Sequence, residues 1–179
     1  MLKAALFVLL TGVAGAGEPN PARDYFTDTV LVDQNGARLR FYSDVVQGKT
    51  VVMHSFFGAC HGSCPLLLSR MARLQNMLGD RLGKEVVLIS ITVDPQADHP
   101  ERLKALAAPM NPRAGWYLLT GNQQNSETVL KKMFPPANSR DAHDTRFVVF
   151  DVRTNRGEKI ALNEASPERL FAAVNSAAR

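Results

Sequence analysis

The sequence predicts a layered α/β fold, and three observations lead to that prediction. Apolar residues make up 45% of the 179-residue chain, which is the proportion of an ordinary globular domain. Short apolar runs alternate with segments whose apolar residues recur at helical spacing. Two cysteines, Cys60 and Cys64, lie between one such run and the helical segment after it. Strands that alternate with helices form a sheet covered by helices.

The composition excludes two classes of protein. The chain has 21 Lys and Arg and 17 Asp and Glu, so its formal net charge is only +4. This charge is too small to keep a chain disordered by self-repulsion. The basic residues are scattered and form no dense phosphate-binding patch, so we expect no nucleic-acid partner.

The first 16 residues are predicted to be a signal peptide. Lys3 precedes an apolar run over residues 4–10, and an A-x-A cleavage site follows at residues 14–16. The segment is shorter than the roughly 20 apolar residues that span a bilayer. An N-terminal helix of the fold and a retained short anchor are the alternatives. We therefore expect export to the periplasm, one domain over residues 17–179, and no stable membrane span.

The first predicted elements of the domain are a β-hairpin and a buried strand. Residues 29–33 and 37–42 are strand-like and flank Asn35-Gly36, a strong hairpin-turn signal. Residues 50–57 form the next apolar run, interrupted by a histidine and a serine. The histidine, His54, is expected to be a core residue that bonds to a backbone group.

A helix and a second buried strand follow the cysteines. Leucine and methionine residues recur at steps of three and four, which predicts a helix that begins at Pro65 and stops at Gly83. Residues 86–93 are apolar apart from one serine and one threonine, which is typical of an interior strand in a parallel sheet.

The remaining elements complete the predicted fold. Asp98 and Glu101 form a capping-box pattern at the start of a helix. Further segments are predicted as strands at 116–120, 145–151 and 158–162, and as helices at 98–108, at 126–134 and from Ser166. This order is that of a thioredoxin-like three-layer sandwich with an extra N-terminal β-hairpin and an inserted β-hairpin.

The position of the two cysteines favours chemistry over structural cross-linking. A disulfide that closes so short a loop adds little stability. At a strand-to-helix turn, the free N–H groups and the positive end of the helix favour the thiolate. A thiolate is both the nucleophile in disulfide exchange and a ligand of soft metals. Three residues separate Cys60 from Cys64, whereas most thiol exchangers use C-x-x-C. The wider loop suits a metal and still permits a disulfide.

The four histidines supply candidates for a third metal ligand. His143 lies in a polar loop before the strand at 145–151, where it could approach the cysteines or be a solvated loop residue. His61, between the cysteines, could be a ligand or a proton donor, although exposure to solvent explains it best. A surface position explains His99. Coordination by two sulfurs and one nitrogen suits copper, with zinc as the competitor.

The chain resembles the Sco/SenC family of thioredoxin-fold copper proteins, which assist assembly of the dinuclear copper centre of cytochrome c oxidase. The similarity covers residues 25–175, in family order. The matching stretches are Phe56-Phe57, Cys60-x-x-x-Cys64-Pro65, residues 87–95, residues 98–103, Leu119-Thr120-Gly121, and His143 before a strand. This resemblance implies copper bound by Cys60, Cys64 and His143, with Asp94 closing the loop under the site.

Two hypotheses for the function follow. The first is a metallochaperone that passes copper to a subunit of a terminal oxidase. The second is a periplasmic thiol–disulfide oxidoreductase, in which Cys60 and Cys64 reduce the copper-ligating cysteines of an exchange partner. A third class, an interaction module without redox chemistry, predicts that function survives replacement of both cysteines.

Overall fold

The computed structural model describes residues 21–134 and 145–179, which form a five-stranded sheet, a separate two-stranded hairpin and five α-helices. The strands are β1 Val30–Val32, β2 Arg38–Arg40, β3 Thr50–Phe56, β4 Val86–Thr92, β5 Trp116–Leu119, β6 Phe147–Asp151 and β7 Arg156–Ile160. The helices are α1 Pro21–Phe26, α2 Cys64–Leu78, α3 Pro100–Ala107, α4 Gln123–Met133 and α5 Pro167–Ala177.

The order of strands in the main sheet is β5-β4-β3-β6-β7. Strands β3, β4 and β5 are parallel, whereas β6 and β7 are antiparallel to their neighbours. The predicted thioredoxin-like arrangement is therefore confirmed, and the second hairpin, β6–β7, forms one edge of the sheet. All seven residues of β3 and of β4 are buried, as expected for interior strands.

Two hydrophobic clusters, one on each face of the sheet, complete the three layers. Leu88 packs with residues of α2, α3 and α5 on one face. Its neighbour Ile89 packs with residues of α1, the β1–β2 hairpin and α4 on the other face. Successive strand residues point to opposite faces, so one apolar strand supplies both clusters. The cysteine pair belongs to the face covered by α2, where Cys64 is part of the cluster.

The predicted N-terminal hairpin is present but shorter than expected. Strand β2 ends at Arg40, and Phe41–Val46 form a π-helical turn. The carboxylate of Asp44 accepts a hydrogen bond from the backbone N–H of Arg40 at 2.8 Å, and that of Asp28 accepts one from Ser43 at 2.9 Å. These side-chain bonds to the backbone compete with strand pairing and explain the early end.

Helix α2 ends earlier than predicted. It stops at Leu78 with Gly79 as its C-cap, and Gly79–Arg81 form a 3₁₀ turn. Leu82 is nevertheless buried, which explains why its helical spacing was misleading. Gly83, the predicted stop, has φ of 80° and lies against Gly115. A Cβ added to Gly115 would come within 2.5 Å of the Gly83 Cα.

The other predicted elements are confirmed with small shifts at their ends. Helix α4 begins three residues before its predicted start, because the Asn122 side chain caps it by accepting from the Asn125 N–H at 2.8 Å. The Ser166 hydroxyl caps α5 in the same way. Helix α1 was not predicted. Within the described residues, no helix has the length and apolar character needed to cross a bilayer.

Candidate metal and thiol centre

The cysteines lie at the carboxyl end of the central strand. β3 ends at Phe56, and the segment from Phe57 to Ser63, called the cysteine loop below, connects it to α2. Helix α2 begins at Cys64, with Pro65 in its first turn. Proline fits there because the N–H that it lacks would have no partner within the helix. Cys60 is therefore in the loop, and Cys64 starts the helix.

The two cysteines are in contact but differ in exposure. The backbone N–H of Cys64 donates to the Cys60 Sγ at 3.4 Å, so the head of the helix points at that sulfur. The N–H of Cys60 donates to the Phe57 carbonyl at 3.2 Å, which makes a tight turn before the cysteine. Cys60 is half-buried, whereas Cys64 is 2% exposed.

The surroundings of the two sulfurs shift their acidities in opposite directions. Burial raises the pKa of Cys60, but bonds to its sulfur outweigh burial, so that the net pKa lies below its usual value. These bonds come from the Cys64 thiol, the backbone of Cys64 and Gly62, and the Ser63 hydroxyl. Burial and then the neighbouring Cys60 sulfur raise the pKa of Cys64 to about 12. Cys60 is therefore the more acidic thiol of the pair, and the thiolate is favoured on Cys60 over Cys64.

Asp98 is a site residue that the sequence prediction assigned to a different role. Its carboxylate was expected to cap α3, but the N-cap residue is His99, without a side-chain cap. Asp98 Oδ2 instead accepts from the backbone N–H of Gly58 at 2.8 Å and from the Thr92 hydroxyl at 2.5 Å. The capping-box prediction for Asp98 was wrong because a tertiary contact with the cysteine loop takes its place.

Three histidines have the surroundings that the sequence suggested. His54 is fully buried, and its Nδ1 lies 3.1 Å from the carbonyl of Ser55. His61 is exposed in the cysteine loop. His99 is exposed and pairs with Glu101 at 2.8 Å.

The predicted metal ligands are only partly within the described residues. The structure brings Cys60 and Cys64 together, while His143 lies outside the described residues. Over residues 21–134 and 145–179, no group of three or more His, Cys, Asp and Glu could hold a metal ion. Two sulfurs, one of them favoured as thiolate, suit a soft metal ion but leave its coordination incomplete.

A groove of about 650 Å³ opens beside the cysteines. Its walls include both sulfur-bearing residues, apolar side chains of α2 and of the segment after α3, and Arg113. A second protein can therefore bring a thiol, a disulfide or a metal ligand next to the half-buried sulfur of Cys60. The arrangement allows both disulfide exchange and coordination of a soft metal.

Comparison with known proteins identifies the family. The family model described as SCO1/SenC matches residues 18–178. The chain belongs to the SCO1/SenC family. A protein of Stutzerimonas stutzeri, whose name provisionally describes it as copper-binding, is 34% identical over 106 residues, which are 59% of this chain and 50% of that protein. A SCO2-like protein of Rickettsia conorii is 31% identical over 105 residues, 59% and 49% of the two chains.

Solved structures of SCO1/SenC proteins share the fold of this chain. A SCO1/SenC family lipoprotein from Bacillus anthracis superimposes with a TM-score of 0.69 at 24% identity, covering 84% of this chain and 92% of that one. ScoI of Arabidopsis thaliana with copper bound superimposes with a TM-score of 0.67 at 18% identity, covering 87% of this chain and 98% of that one. The chain spans about half the length of the curated relatives it matches.

Proposed function

We propose that this SCO1/SenC protein is a copper metallochaperone in which Cys60, Cys64 and His143 hold one copper ion. The observation that carries the proposal is the contact between Cys60 and Cys64 at the head of α2, with the thiolate favoured on Cys60. Two sulfurs and one imidazole form a donor set that suits copper. A Sco protein solved with copper bound and a relative whose name refers to copper support the choice of metal.

The direction of β6 supports His143 as the third ligand. Strands β3 and β6 are antiparallel, with Met53 opposite Val148. The chain therefore enters β6 at the same end of the strands at which the cysteine loop leaves β3. His143 is four residues before Phe147, the first residue of β6. Four residues span at most about 13–14 Å, so His143 is no farther than this from the start of β6 along the chain.

Copper is the cargo in this proposal, and ligand exchange is the means of transfer. The half-buried sulfur of Cys60 and the adjoining groove leave a side from which ligands of an acceptor can approach. We propose a copper-acceptor subunit of cytochrome c oxidase as that acceptor, because the family resemblance implies it. Replacement of protein thiolates by acceptor thiolates leaves the number of copper–sulfur bonds unchanged, so copper need not be released to water.

An anaerobic copper(I) titration tests the proposed ligand set. We expect one copper per chain for the reduced protein and binding weakened at least about tenfold in His143→Ala, because one of three donors is lost. His61→Ala is the matched control, since His61 is an exposed histidine of the cysteine loop, and it should bind like the unchanged protein. Full-stoichiometry binding of undiminished strength by His143→Ala would refute the assignment of that ligand.

A thiol–disulfide oxidoreductase is the second candidate, and the opposite acidities of the two thiols favour it. Cys60 has the lowered pKa of an attacking cysteine, and the buried Cys64 is placed to resolve a mixed disulfide. The partner disulfide would gain two electrons and two protons as Cys60 and Cys64 become a disulfide. Its substrate would be the oxidised copper-ligating cysteines of an acceptor.

We also propose that residues 1–16 direct export to the periplasm and are removed, leaving one Sco/SenC-type domain over residues 17–179. The basic residue, apolar run and A-x-A site of this segment support the proposal. Intact mass spectrometry of the exported protein should give the mass of residues 17–179. Recovery of a chain that retains residues 1–16 would contradict cleavage and favour a retained anchor.

A further inference from the structure

We propose that Asp98 is a positioning residue that fixes the backbone of the cysteine loop and thereby places the sulfur of Cys60. The consequence for copper rests on the proposed function, whereas the consequence for the disulfide does not. Asp98 lies outside the proposed ligand set of Cys60, Cys64 and His143. It acts through the peptide N–H of Gly58, two residues before Cys60.

The carboxylate of Asp98 connects two elements that each end at the site. The residue is 1% exposed. Its Oδ2 accepts from the Gly58 N–H at 2.8 Å and from the hydroxyl of Thr92, the last residue of β4, at 2.5 Å. The Thr92 hydroxyl also accepts from the Asp94 N–H at 3.0 Å. The cysteine loop after β3 is thus tied to the end of the neighbouring parallel strand.

The approach of Asp98 to the loop is possible because residue 58 is glycine. A Cβ at this position would overlap Asp98 Oδ1 and would lie 3.2 Å from its Cγ. The same Cβ would be 3.3 Å from Nε of Arg102, which lies near the same oxygen of Asp98. The carboxylate therefore packs directly against the loop backbone, and any side chain at residue 58 would displace it.

The second oxygen of Asp98 indicates a role beyond stability. Among the described residues, Oδ1 is buried without a hydrogen-bond partner, and Nε of the partly exposed Arg102 lies 3.5 Å away. Burying an unsatisfied carboxylate oxygen is unfavourable for folding. The hydrogen bond between Oδ2 and the Gly58 N–H explains why residue 98 is an acid. It gives this backbone N–H of the cysteine loop an acceptor where no secondary structure supplies one.

Fixing Gly58 also limits where Cys60 can be. The Cys60 N–H bonds to the carbonyl of Phe57, so the turn that carries Cys60 starts at the residue before Gly58. Without the bond from Gly58, this turn loses its connection to Asp98 and to the end of β4. Groups that orient metal ligands change metal affinity about 10–100-fold when they are removed.

Three variants test the proposal. Asp98→Ala removes the acceptor, and Asp98→Asn keeps one oxygen that can accept from both Gly58 and Thr92. Asp33→Ala is the matched control, because Asp33 also accepts two backbone N–H bonds, from Asn35 at 2.8 Å and Ala37 at 2.9 Å, but in the β1–β2 hairpin. Each variant is measured for amide hydrogen exchange at Gly58, for the Cys60–Cys64 disulfide equilibrium against glutathione, and for copper(I) affinity by competition.

We expect Asp98→Ala to raise the exchange rate of the Gly58 amide at least about tenfold, because its hydrogen bond is lost. The Cys60–Cys64 disulfide should become easier for glutathione to reduce, because the Cys60 sulfur is no longer held in place, and the copper(I) dissociation constant should rise about 10–100-fold. Asp98→Asn should restore most of each value, and Asp33→Ala should leave all three unchanged.

A second variant covers the case in which Asp98→Ala fails to fold. Gly58→Ala keeps the acid but displaces it, so it should change the same three measurements in the same direction. Unchanged copper affinity and disulfide equilibrium in both variants, with faster exchange at Gly58, would overturn the positioning role. If the unchanged protein binds no copper, the proposed function fails, and the disulfide equilibrium alone then decides the role of Asp98.

Discussion

Oxidised glutathione should form a lasting adduct with the Cys64→Ser protein and little adduct with the Cys60→Ser protein. In the first variant, the Cys60 thiolate attacks the glutathione disulfide and releases one glutathione thiolate. No second thiol remains to break the new bond, so the adduct persists. In the second variant, the remaining thiol is that of Cys64, which is 2% exposed and which burial keeps protonated. Intact mass spectrometry after a fixed incubation at neutral pH measures the difference.

The unchanged protein should end with a disulfide between its own cysteines. Once Cys60 is in a mixed disulfide, its sulfur no longer accepts a hydrogen bond from Cys64 or repels a second thiolate. In the reduced protein, burial raises the pKa of Cys64 most, and both of these effects raise it further. The resolving thiol therefore becomes more acidic when it is needed, and it displaces glutathione from Cys60.

Replacing Cys64 by alanine provides a matched control for the acidity of Cys60. Serine at residue 64 keeps a hydroxyl that can donate to the Cys60 sulfur, whereas alanine removes this donor. The pH midpoint for alkylation of Cys60 should therefore be higher in Cys64→Ala than in Cys64→Ser. Equal adduct formation by Cys60→Ser and Cys64→Ser would contradict the assignment of Cys60 as the attacking residue. Loss of copper transfer with no adduct in Cys64→Ser would exclude the oxidoreductase hypothesis.

The choice between the two cysteines illustrates what a sequence pattern cannot supply. The spacing of Cys60 and Cys64 and the helix after them predict a reactive pair. Which sulfur becomes the thiolate depends on burial and on hydrogen bonds from Gly62 and Ser63. Those contacts come from the path of the cysteine loop, which local spacing does not determine.

Apolar periodicity predicted the elements around the site well, because burial on a strand or helix face leaves a local pattern. The interior strand expected at 86–93 is β4, Val86–Thr92, and the helix expected from Pro65 begins at Cys64. The role of Asp98 was missed because the spacing to Glu101 fits a capping box equally well. The deciding partner, Gly58, is 40 residues earlier in the chain. His143 as a third ligand stays a prediction.

Replacing Asp151 by asparagine should destabilise the protein strongly at neutral pH and hardly at all at pH 2. Asp151 is fully buried at the end of β6, where Oδ2 accepts from the Thr50 hydroxyl and from Arg153 Nη2, each at 2.5 Å. Its Oδ1 accepts from the backbone N–H of Arg153 at 2.8 Å and of Thr154 at 3.1 Å. Breaking a fully buried ion pair costs about 3–5 kcal/mol. We expect about 2–3 kcal/mol here, since the Arg153 side chain is 46% exposed and screened by water.

The pH dependence of this stabilisation follows from the lowered pKa of Asp151. Burial raises the pKa of Asp151, but the bonds from Arg153, Thr50 and the Thr154 backbone outweigh it and lower the pKa to about 2. The ordinary value is 3.8, so the folded state holds the proton less tightly than the unfolded chain does. The stabilisation is therefore fully present above about pH 4 and is lost as the pH falls toward 2.

Thermal unfolding between pH 7 and pH 2 measures this effect. At pH 7 the Asp151→Asn protein should melt about 4–12 °C lower than the unchanged protein, and the gap should close below pH 4. Asp44→Asn is the control, because Asp44 pairs with Arg40 on the surface, where water screens the pair, and its melting temperature should stay close to that of the unchanged protein at every pH. A gap that stays constant with pH would show that asparagine disturbs packing rather than removing a charge.

The Asp151→Asn variant also tests whether the stability of the sheet affects the chemistry of the cysteines. Thr50, which bonds to Asp151, is the first residue of β3, and the cysteine loop leaves the other end of that strand. Asp151→Asn should therefore lower the melting temperature while the folded protein still forms the Cys60–Cys64 disulfide normally. A shift in that disulfide equilibrium would mean that strain passes along β3, and the bond from Asp98 to Gly58 would then be only one of two supports of the cysteine loop.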